Sequence, residues 1–335
     1  MKIFKFCVLL LILNLFRPDN VLAGDLRFRS DGKFKIIQIT DSHIQANSPY
    51  SQETIEMLNL VLDVEKPDLV IFTGDIVTGK PYKSGFDMVI EPLISRKIPY
   101  ALLFGNHDDE QDLSRKEVAD LLMGYPYNVS KLKKVKNVSG YGNYTIEIKE
   151  NSGKQTRAVI YCMDSNAYST LKQVKGYGWF NFDQVEWYRK QSDRFTRKND
   201  GKPFPALAFF HIPLPEYKKV YTDTIHRLVG TQMEKVCSPE INTGLFASML
   251  EKGDVMGTFV GHDHVNDYIF NLYGIALAYG RFSGSKTTYT KLKNGVRVIE
   301  LTEDTRRFDT WIRLDDKTVI DRIQFPDDLP LPESK

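Results

Sequence analysis

Five short apolar runs in this chain each end in a cluster of Asp, His, Asn or Gly. Phe34 to Thr40 runs into Asp41-Ser42-His43, Leu69 to Thr73 into Gly74-Asp75, and Tyr100 to Phe104 into Gly105-Asn106-His107-Asp108. Later, the run from Leu207 ends in Phe210-His211, and Val255 to Val260 ends in Gly261-His262-Asp263-His264. Five of the six histidines stand in these positions; the sixth, His226, sits in a polar stretch and reads as ordinary. Strands are rigid and deliver side chains to one rim, and open α/β sheets gather ligand and catalytic groups at the carboxyl ends of their strands. The pattern therefore predicts a sheet whose edge collects the chain's scarce histidines.

The intervening segments fit that architecture. Glu53 to Val64 repeats Ile55, Leu58 and Leu62 at helical spacing, with Ser51 as a candidate N-cap. Asp87 to Ile94 and Leu113 to Met123 also read as helices. Further strand-like runs lie at Ala158 to Met163, Tyr268 to Leu272, Ile275 to Tyr279, Val296 to Leu301 and Asp309 to Leu314. Helix and strand alternate early and strand follows strand late, which predicts a layered α/β chain with mixed sheets. Asn128 to Tyr144 is polar and carries glycines, so it reads as a surface loop or hairpin. No internal repeat is visible. One domain spanning 24–326 is the simplest account, with a Pro- and Asp-rich tail, 327–335, outside its core.

Composition narrows the class. The 335 residues are 42% hydrophobic and 26% charged, as in an average globular protein, and the 3 Cys are too few for a disulfide scaffold. Lys2 and Lys5 precede an apolar run from Phe6 to Phe16, broken only by Asn14, and Val21-Leu22-Ala23 is a small-residue cleavage signal. Residues 1–23 read as a secretory signal peptide cut before Gly24. The run is about half the ~20 residues a membrane span needs. The expected mature protein is periplasmic or extracellular, with no stable span. Without the leader's Lys2, Lys5, Arg17 and Asp19, 42 basic residues face 42 acidic ones, so a nucleic-acid partner is not expected. Cys162 and Cys237 are free to pair in an oxidising compartment, but their spacing carries no signature. The three sequons at Asn128, Asn137 and Asn143 matter only in a host that glycosylates exported proteins.

The number of donors is informative. Four His (43, 211, 262 and 264), Asp41, Asp75 and Asn106 are too many for one ion. They suit two ions that share a bridging carboxylate. A nitrogen and oxygen set without thiolate fits Zn, Mn or Fe. His262 and His264 stand two apart, which on an extended segment places both on one side. Two ions about 3.5–4 Å apart form a clamp for in-line displacement at phosphorus.

The ordered series Asp41-Ser42-His43, Gly74-Asp75, Gly105-Asn106-His107-Asp108, isolated His211 and Gly261-His262-Asp263-His264 resembles the motif series of the calcineurin-like metallophosphoesterases. The stretches Lys66 to Asp75, Phe210 to Tyr217, Phe259 to Asp267 and Arg313 to Lys317 are similar to the purple acid phosphatase-like branch, and the likeness covers nearly the whole mature chain. The resemblance implies a four-layer α/β/β/α sandwich with two mixed β-sheets and a dinuclear site at the strand ends. It implies Asp41, His43, Asp75 and His264 on one divalent or trivalent ion, and Asp75, Asn106, His211 and His262 on the other. His107 then matches the family histidine that faces substrate as the catalytic acid. One departure stands out: the true purple enzymes carry a tyrosine ligand three residues after the GD aspartate, and here that residue is Thr78. A colourless or weakly coloured protein is expected, with no obligatory Fe(III).

The function expected on these grounds is hydrolysis of a phosphate monoester, on a small phosphorylated substrate or a phosphoprotein, by a metal-bridging hydroxide. The alternative is a phosphodiesterase acting on cyclic nucleotides or glycerophosphodiesters, because the motifs serve both and a fold does not fix a substrate. A catalytically dead binding module would be expected to have lost ligands, and none is missing. Asp108 is expected to cap structure rather than orient His107. Arg281 is expected to pin a loop rather than meet a phosphate, and Glu216 and Tyr217 are not expected to line the site.

Overall fold

The structure is a computed structural model that describes residues 25–221 and 227–331. Residues 1–23, expected to be a leader, the expected cleavage point before Gly24, His226 and residues 332–335 lie outside the described residues. The chain begins with β1 (Lys33–Ile39), α1 (Tyr50–Glu65), β2 (Leu69–Thr73), α2 (Tyr82–Ser95), β3 (Tyr100–Leu103) and α3 (Arg115–Leu122). It continues through β4 (Tyr144–Lys149), β5 (Thr156–Cys162), α4 (Phe182–Lys198), β6 (Ala206–Phe209), a 3-10 turn at Pro215–Tyr221 and β7 (Leu228–Val229). Then follow α5 (Leu245–Lys252), β8 (Val255–Val260), β9 (Ile269–Leu272), β10 (Ile275–Tyr279), β11 (Gly295–Thr302), β12 (Phe308–Leu314) and β13 (Val319–Phe325).

Two mixed sheets result. The first runs β13-β12-β11-β1-β2-β3, with β1, β2 and β3 parallel and β11 returning antiparallel to β1. The second runs β4-β5-β6-β8-β10-β9-β7, with β5, β6, β8 and β10 parallel. The central strands β2, β6 and β8 are buried at every position and largely apolar, as parallel strands covered on both faces must be. The sheets pack face to face: Phe259 of β8 stacks on Phe209 of β6 at 5.1 Å and meets Phe308 of β12 edge-on at 5.7 Å. One apolar core joins the inner faces of both sheets with α1, α2 and α3; a second lies between the outer face of the second sheet and α4 and α5. This is the four-layer α/β/β/α arrangement.

Two buried polar ties fix how the sheets sit on each other. Gln38 of β1 donates its side-chain amide to the Val260 carbonyl of β8 and to Thr73 Oγ1, both at 3.0 Å. Arg297 of β11, fully buried, donates to the Tyr279 and Asp267 carbonyls and to Thr310 Oγ1. Burial lowers the Arg297 pKa to about 10, so it stays charged at neutral pH. Together these bonds hold the ends of β1 and β8, where the histidines collect, at a set separation.

The structure departs from the sequence expectations at identifiable places. The chain enters α1 at Tyr50, and Ser51 caps nothing: its hydroxyl donates to the Gln45 carbonyl and accepts from the Gln45 N–H. Helix α3 starts at a capping box between Ser114 and Glu117. Tyr144 begins strand β4 at the edge of the second sheet, and α4, α5, β7 and β13 were not foreseen. Cys162 lies buried in β5 and Cys237 half-buried in a loop, both as free thiols. Of the sequons, Asn143 is buried and donates to the Ser139 carbonyl, whereas Asn137 is exposed. No helix among the described residues is long and apolar enough to cross a membrane.

The tail is the clearest correction. Phe325 and Leu329 are buried, and Asn271 holds the Leu329 carbonyl at 2.7 Å, so the core continues past residue 326. Deleting a buried leucine side chain costs about 2–5 kcal/mol through lost transfer energy and the cavity left behind. Leu329→Ala should therefore shift the denaturant midpoint clearly downward in equilibrium unfolding; an unchanged midpoint would return the tail to the solvent.

Candidate metal centre

Every candidate ligand sits just beyond a strand end. Asp41 and His43 follow β1, Asp75 follows β2, Asn106 follows β3, His211 follows β6, and His262 and His264 follow β8. The chain leaves these strands in conformations that L-residues seldom adopt: φ is +54° at Asp41, +43° at His43, +50° at Asp75 and +77° at His262. Such strain persists only where surrounding structure over-determines it, and it gathers at functional sites. The adjacent glycines permit the approach. A Cβ on Gly105 would collide with the Asp75 carboxylate, and one on Gly261 with Thr40 Oγ1 and the Asp41 carboxylate.

The side chains form two buried triads, Asp41 with His43 and His264, and Asp75 with His211 and His262; within each, ligand atoms lie within 4.8 Å of one another. Asp75 links them: its Oδ2 is 3.2 Å from His211 Nε2 and 3.8 Å from His43 Nε2. Asn106 joins the second group, with Oδ1 3.2 Å from His211 Nε2. The sequence reading placed His262 and His264 on one side of an extended segment. The segment is not extended there: left-handed backbone at His262 separates the two rings, and His262 joins the second triad and His264 the first, the division that the motif series implied.

The outer contacts prepare these rings as ligands. His211 Nδ1 donates to the Thr73 carbonyl at 2.8 Å and His264 Nδ1 to the Tyr289 carbonyl at 3.0 Å, which turns both Nε2 atoms inward. A backbone carbonyl on the far nitrogen fixes the tautomer a metal needs. His264 is sandwiched between the rings of Phe282 and Tyr289, 4.8 and 4.3 Å away. His43 Nε2 and His262 Nε2 are buried with no hydrogen-bond partner. Buried polar atoms without partners are rare. The orphaned His43 Nε2 faces the Asp75 carboxylate at 3.8 Å, His262 Nδ1 lies 3.3 Å from His211 Nε2, and a nitrogen and oxygen donor set of this kind fits a pair of cations.

Electrostatics agree. Burial alone would raise the Asp41 carboxyl, but His264 and His211 hold it down to about 2. Asp75 is likewise buried and is held well below the carboxylate range by His211 and His43. Burial lowers His43 to about 4 and His262 to about 3, so both are neutral. Burial also opposes protonation of His211, yet Asp75 beside it lifts it to about 10.

The remaining candidates fall into place around this centre. Asp108 is fully buried and accepts 2.8 Å hydrogen bonds from the backbone N–H groups of Asp75, Ile76 and Gly105, so it ties the β2 and β3 loops together and does not touch the His107 ring. His107 donates its backbone N–H to Asp75 Oδ1 at 2.8 Å, and its half-exposed ring lies 5.8 Å from that of His43. Its Nδ1 lies 2.5 Å from Glu110 Oε2. Arg281 is buried in an ion pair with Asp267 and donates to the Lys293 carbonyl, a loop-pinning role. Tyr217 is buried with its hydroxyl on Thr258, and Glu216 takes a hydrogen bond from Asn242; neither reaches the centre. Sequence reasoning missed Glu110, Tyr168, Tyr177 and Tyr289. Glu110, three residues after His107, was the one with a readable signal.

The pattern of a calcineurin-like phosphoesterase matches residues 34–266. The chain belongs to the calcineurin-like phosphoesterase family. An Arabidopsis thaliana protein named "Probable inactive purple acid phosphatase 29" is 33% identical, over 91% of this chain and 88% of its own. "Phosphatase DCR2" of Saccharomyces cerevisiae is 31% identical over 89% of this chain, which spans 56% of that protein. Among solved structures, a dimetal phosphatase from Danio rerio superposes with a TM-score of 0.60 at 14% identity, covering 87% of this chain and 98% of its own. Yellow lupin purple acid phosphatase PPD1 gives 0.53 at 13% identity over 87% of this chain and 53% of its own. At those identities the likeness is one of fold.

The protonation pattern makes a measurable demand. At pH 7 the raised His211 carries a proton that a cation must displace, whereas His43 and His262 are already neutral. Cation binding should release on the order of one proton per chain, and affinity should rise with pH below about 10. Isothermal titration with Zn²⁺ or Mn²⁺ in buffers of different ionisation enthalpy reads this directly. Binding without proton release would contradict the assignment of His211.

Proposed function

We propose that this chain is a phosphomonoesterase that hydrolyses phosphate esters with two bound cations, exported if residues 1–23 act as the leader they resemble. The observation that supports this most strongly is the pair of buried triads joined through Asp75, with the half-exposed His107 ring 5.8 Å from that of His43. The cations, held by Asp41, His43, Asp75 and His264 and by Asp75, Asn106, His211 and His262, would polarise the phosphoryl oxygens and lower the pKa of the attacking water.

The chain's own residues supply the rest. Asn106 contributes a neutral oxygen, which limits the negative charge met by a phosphate dianion. His107 stands where the leaving oxygen emerges and, as imidazolium, donates the proton that oxygen needs as its bond to phosphorus breaks. Water supplies the new oxygen on phosphorus, so one ester and one water give an alcohol and inorganic phosphate. Glu110, on the Nδ1 side of the ring, orients the imidazole. Relatives from Arabidopsis carry the word inactive in their names. What favours activity in this chain is that all seven donor positions are filled and converge.

General-acid help of this kind is worth about 10²–10⁴ in rate. The test compares p-nitrophenyl phosphate with bis-p-nitrophenyl phosphate on metal-loaded protein and on His107→Ala. The monoester should be preferred in kcat/KM, and the variant should lose kcat by at least about 10² while keeping both metals. Preference for the diester would install the phosphodiesterase reading. Loss of metal from the variant would contradict the role given to His107.

A further inference from the structure

Beyond the ligands, one feature of the open side has no role in the chemistry just described. A short hairpin places Tyr168 opposite Tyr177, bracketed by hydrogen bonds from Ser169 N–H to the Gly176 carbonyl and from Gly178 N–H to the Ala167 carbonyl. These bonds flank the pair rather than join it, which is the arrangement that brings opposed side chains closest and onto one face. The two rings stack at 5.9 Å with planes 23° apart. That face is turned to the second triad. The Tyr168 hydroxyl accepts from Asn106 Nδ2 at 3.2 Å, and the Tyr177 ring stands perpendicular to His262 at 4.3 Å.

The Tyr168 contact orients Asn106, since the amide can offer Oδ1 to the centre only if Nδ2 points away. It also anchors a flat ring one hydrogen bond from a ligand. Tyr168 remains 46% exposed, so part of the ring is free to meet a ligand. Aromatic rings gain from an offset or edge-on aromatic partner beyond the area they bury.

We infer that Tyr168 and Tyr177 form an aryl subsite, and that the preferred substrates are phosphate monoesters whose phosphoryl oxygen is attached directly to an aromatic ring. The inference rests on the proposed phosphoesterase reading and narrows its substrate class. The wall begins at the ligand shell, so the flat group must adjoin the phosphoryl group. A nucleobase, held a sugar's length further out, would overshoot it.

The test separates binding from turnover. Phenylphosphonate and methylphosphonate, which the enzyme cannot hydrolyse, are titrated calorimetrically into protein carrying two metals per chain. The phenyl compound should bind about tenfold more tightly. That ratio should persist in Tyr168→Phe, which keeps the ring, and collapse towards unity in Tyr168→Leu, with metal content measured on each. In parallel, the kcat/KM ratio of phenyl phosphate to glycerol 2-phosphate should follow the same order across the three proteins. Equal binding of the two phosphonates, or a ratio untouched by Tyr168→Leu, overturns the aryl subsite. A kcat/KM for adenosine 5′-monophosphate above that for phenyl phosphate overturns it too, by moving the flat group outward. Selective phenylphosphonate binding with no turnover of any ester would leave the subsite standing and remove the catalytic reading instead.

Discussion

Asp75 is the residue on which the rest of the centre depends. One carboxylate oxygen faces His211 and His43, which belong to different triads, and the other accepts the His107 N–H. Its own backbone N–H is held by Asp108, which also binds Ile76 and Gly105. A single buried anion therefore couples β1, β2, β3 and β6. Burying a charge is costly unless it is paired, and here the compensation comes from imidazoles that cations are suited to replace as partners.

The fold explains why such a charge can be kept there. Two sheets lock face to face through apolar side chains, and Gln38 and Arg297 cross between them. The ligands stand at the ends of strands buried on both faces, so they move little. The left-handed turns at Asp41, His43, Asp75 and His262 are affordable because the strands feeding them are rigid. Arg115 adds a brace, binding the Gly105 carbonyl, Asp109 and Asp164 beneath the loop that presents Asn106 and His107. The open side is shaped by residues on less regular segments, Glu110 and the Tyr168–Tyr177 hairpin.

Much of this was legible in the sequence because the donors follow apolar runs, and strand ends are where periodicity speaks most clearly. All seven donors and His107 come together as the motif order implied. The division of His262 and His264 between triads follows the motif series, while its backbone cause, a left-handed residue at His262, is something alternation does not encode. Helix α4 was overlooked although Asn181 and Gln184 form a capping box and Val185, Tyr188, Ser192 and Phe195 lie on its buried face; its abundant charges masked that stripe. Strand β4 was overlooked because it follows a Gly-rich loop, and β13 because an edge strand leaves most of its side chains in water. Tyr168 and Tyr177 carried no signal at all. Their meaning lies in a cross-strand pair and in contacts with Asn106 and His262, which only the folded chain brings near.

The claim beneath all of this is that two cations occupy the two triads with Asp75 between them. Crystals of the Mn- or Zn-loaded protein, with anomalous diffraction recorded at the metal edge, test it most directly. The account predicts two peaks about 3.5–4 Å apart, one beside Asp41, His43 and His264, the other beside Asn106, His211 and His262, with the Asp75 carboxylate touching both. A single peak, or two peaks that Asp75 does not bridge, would contradict it.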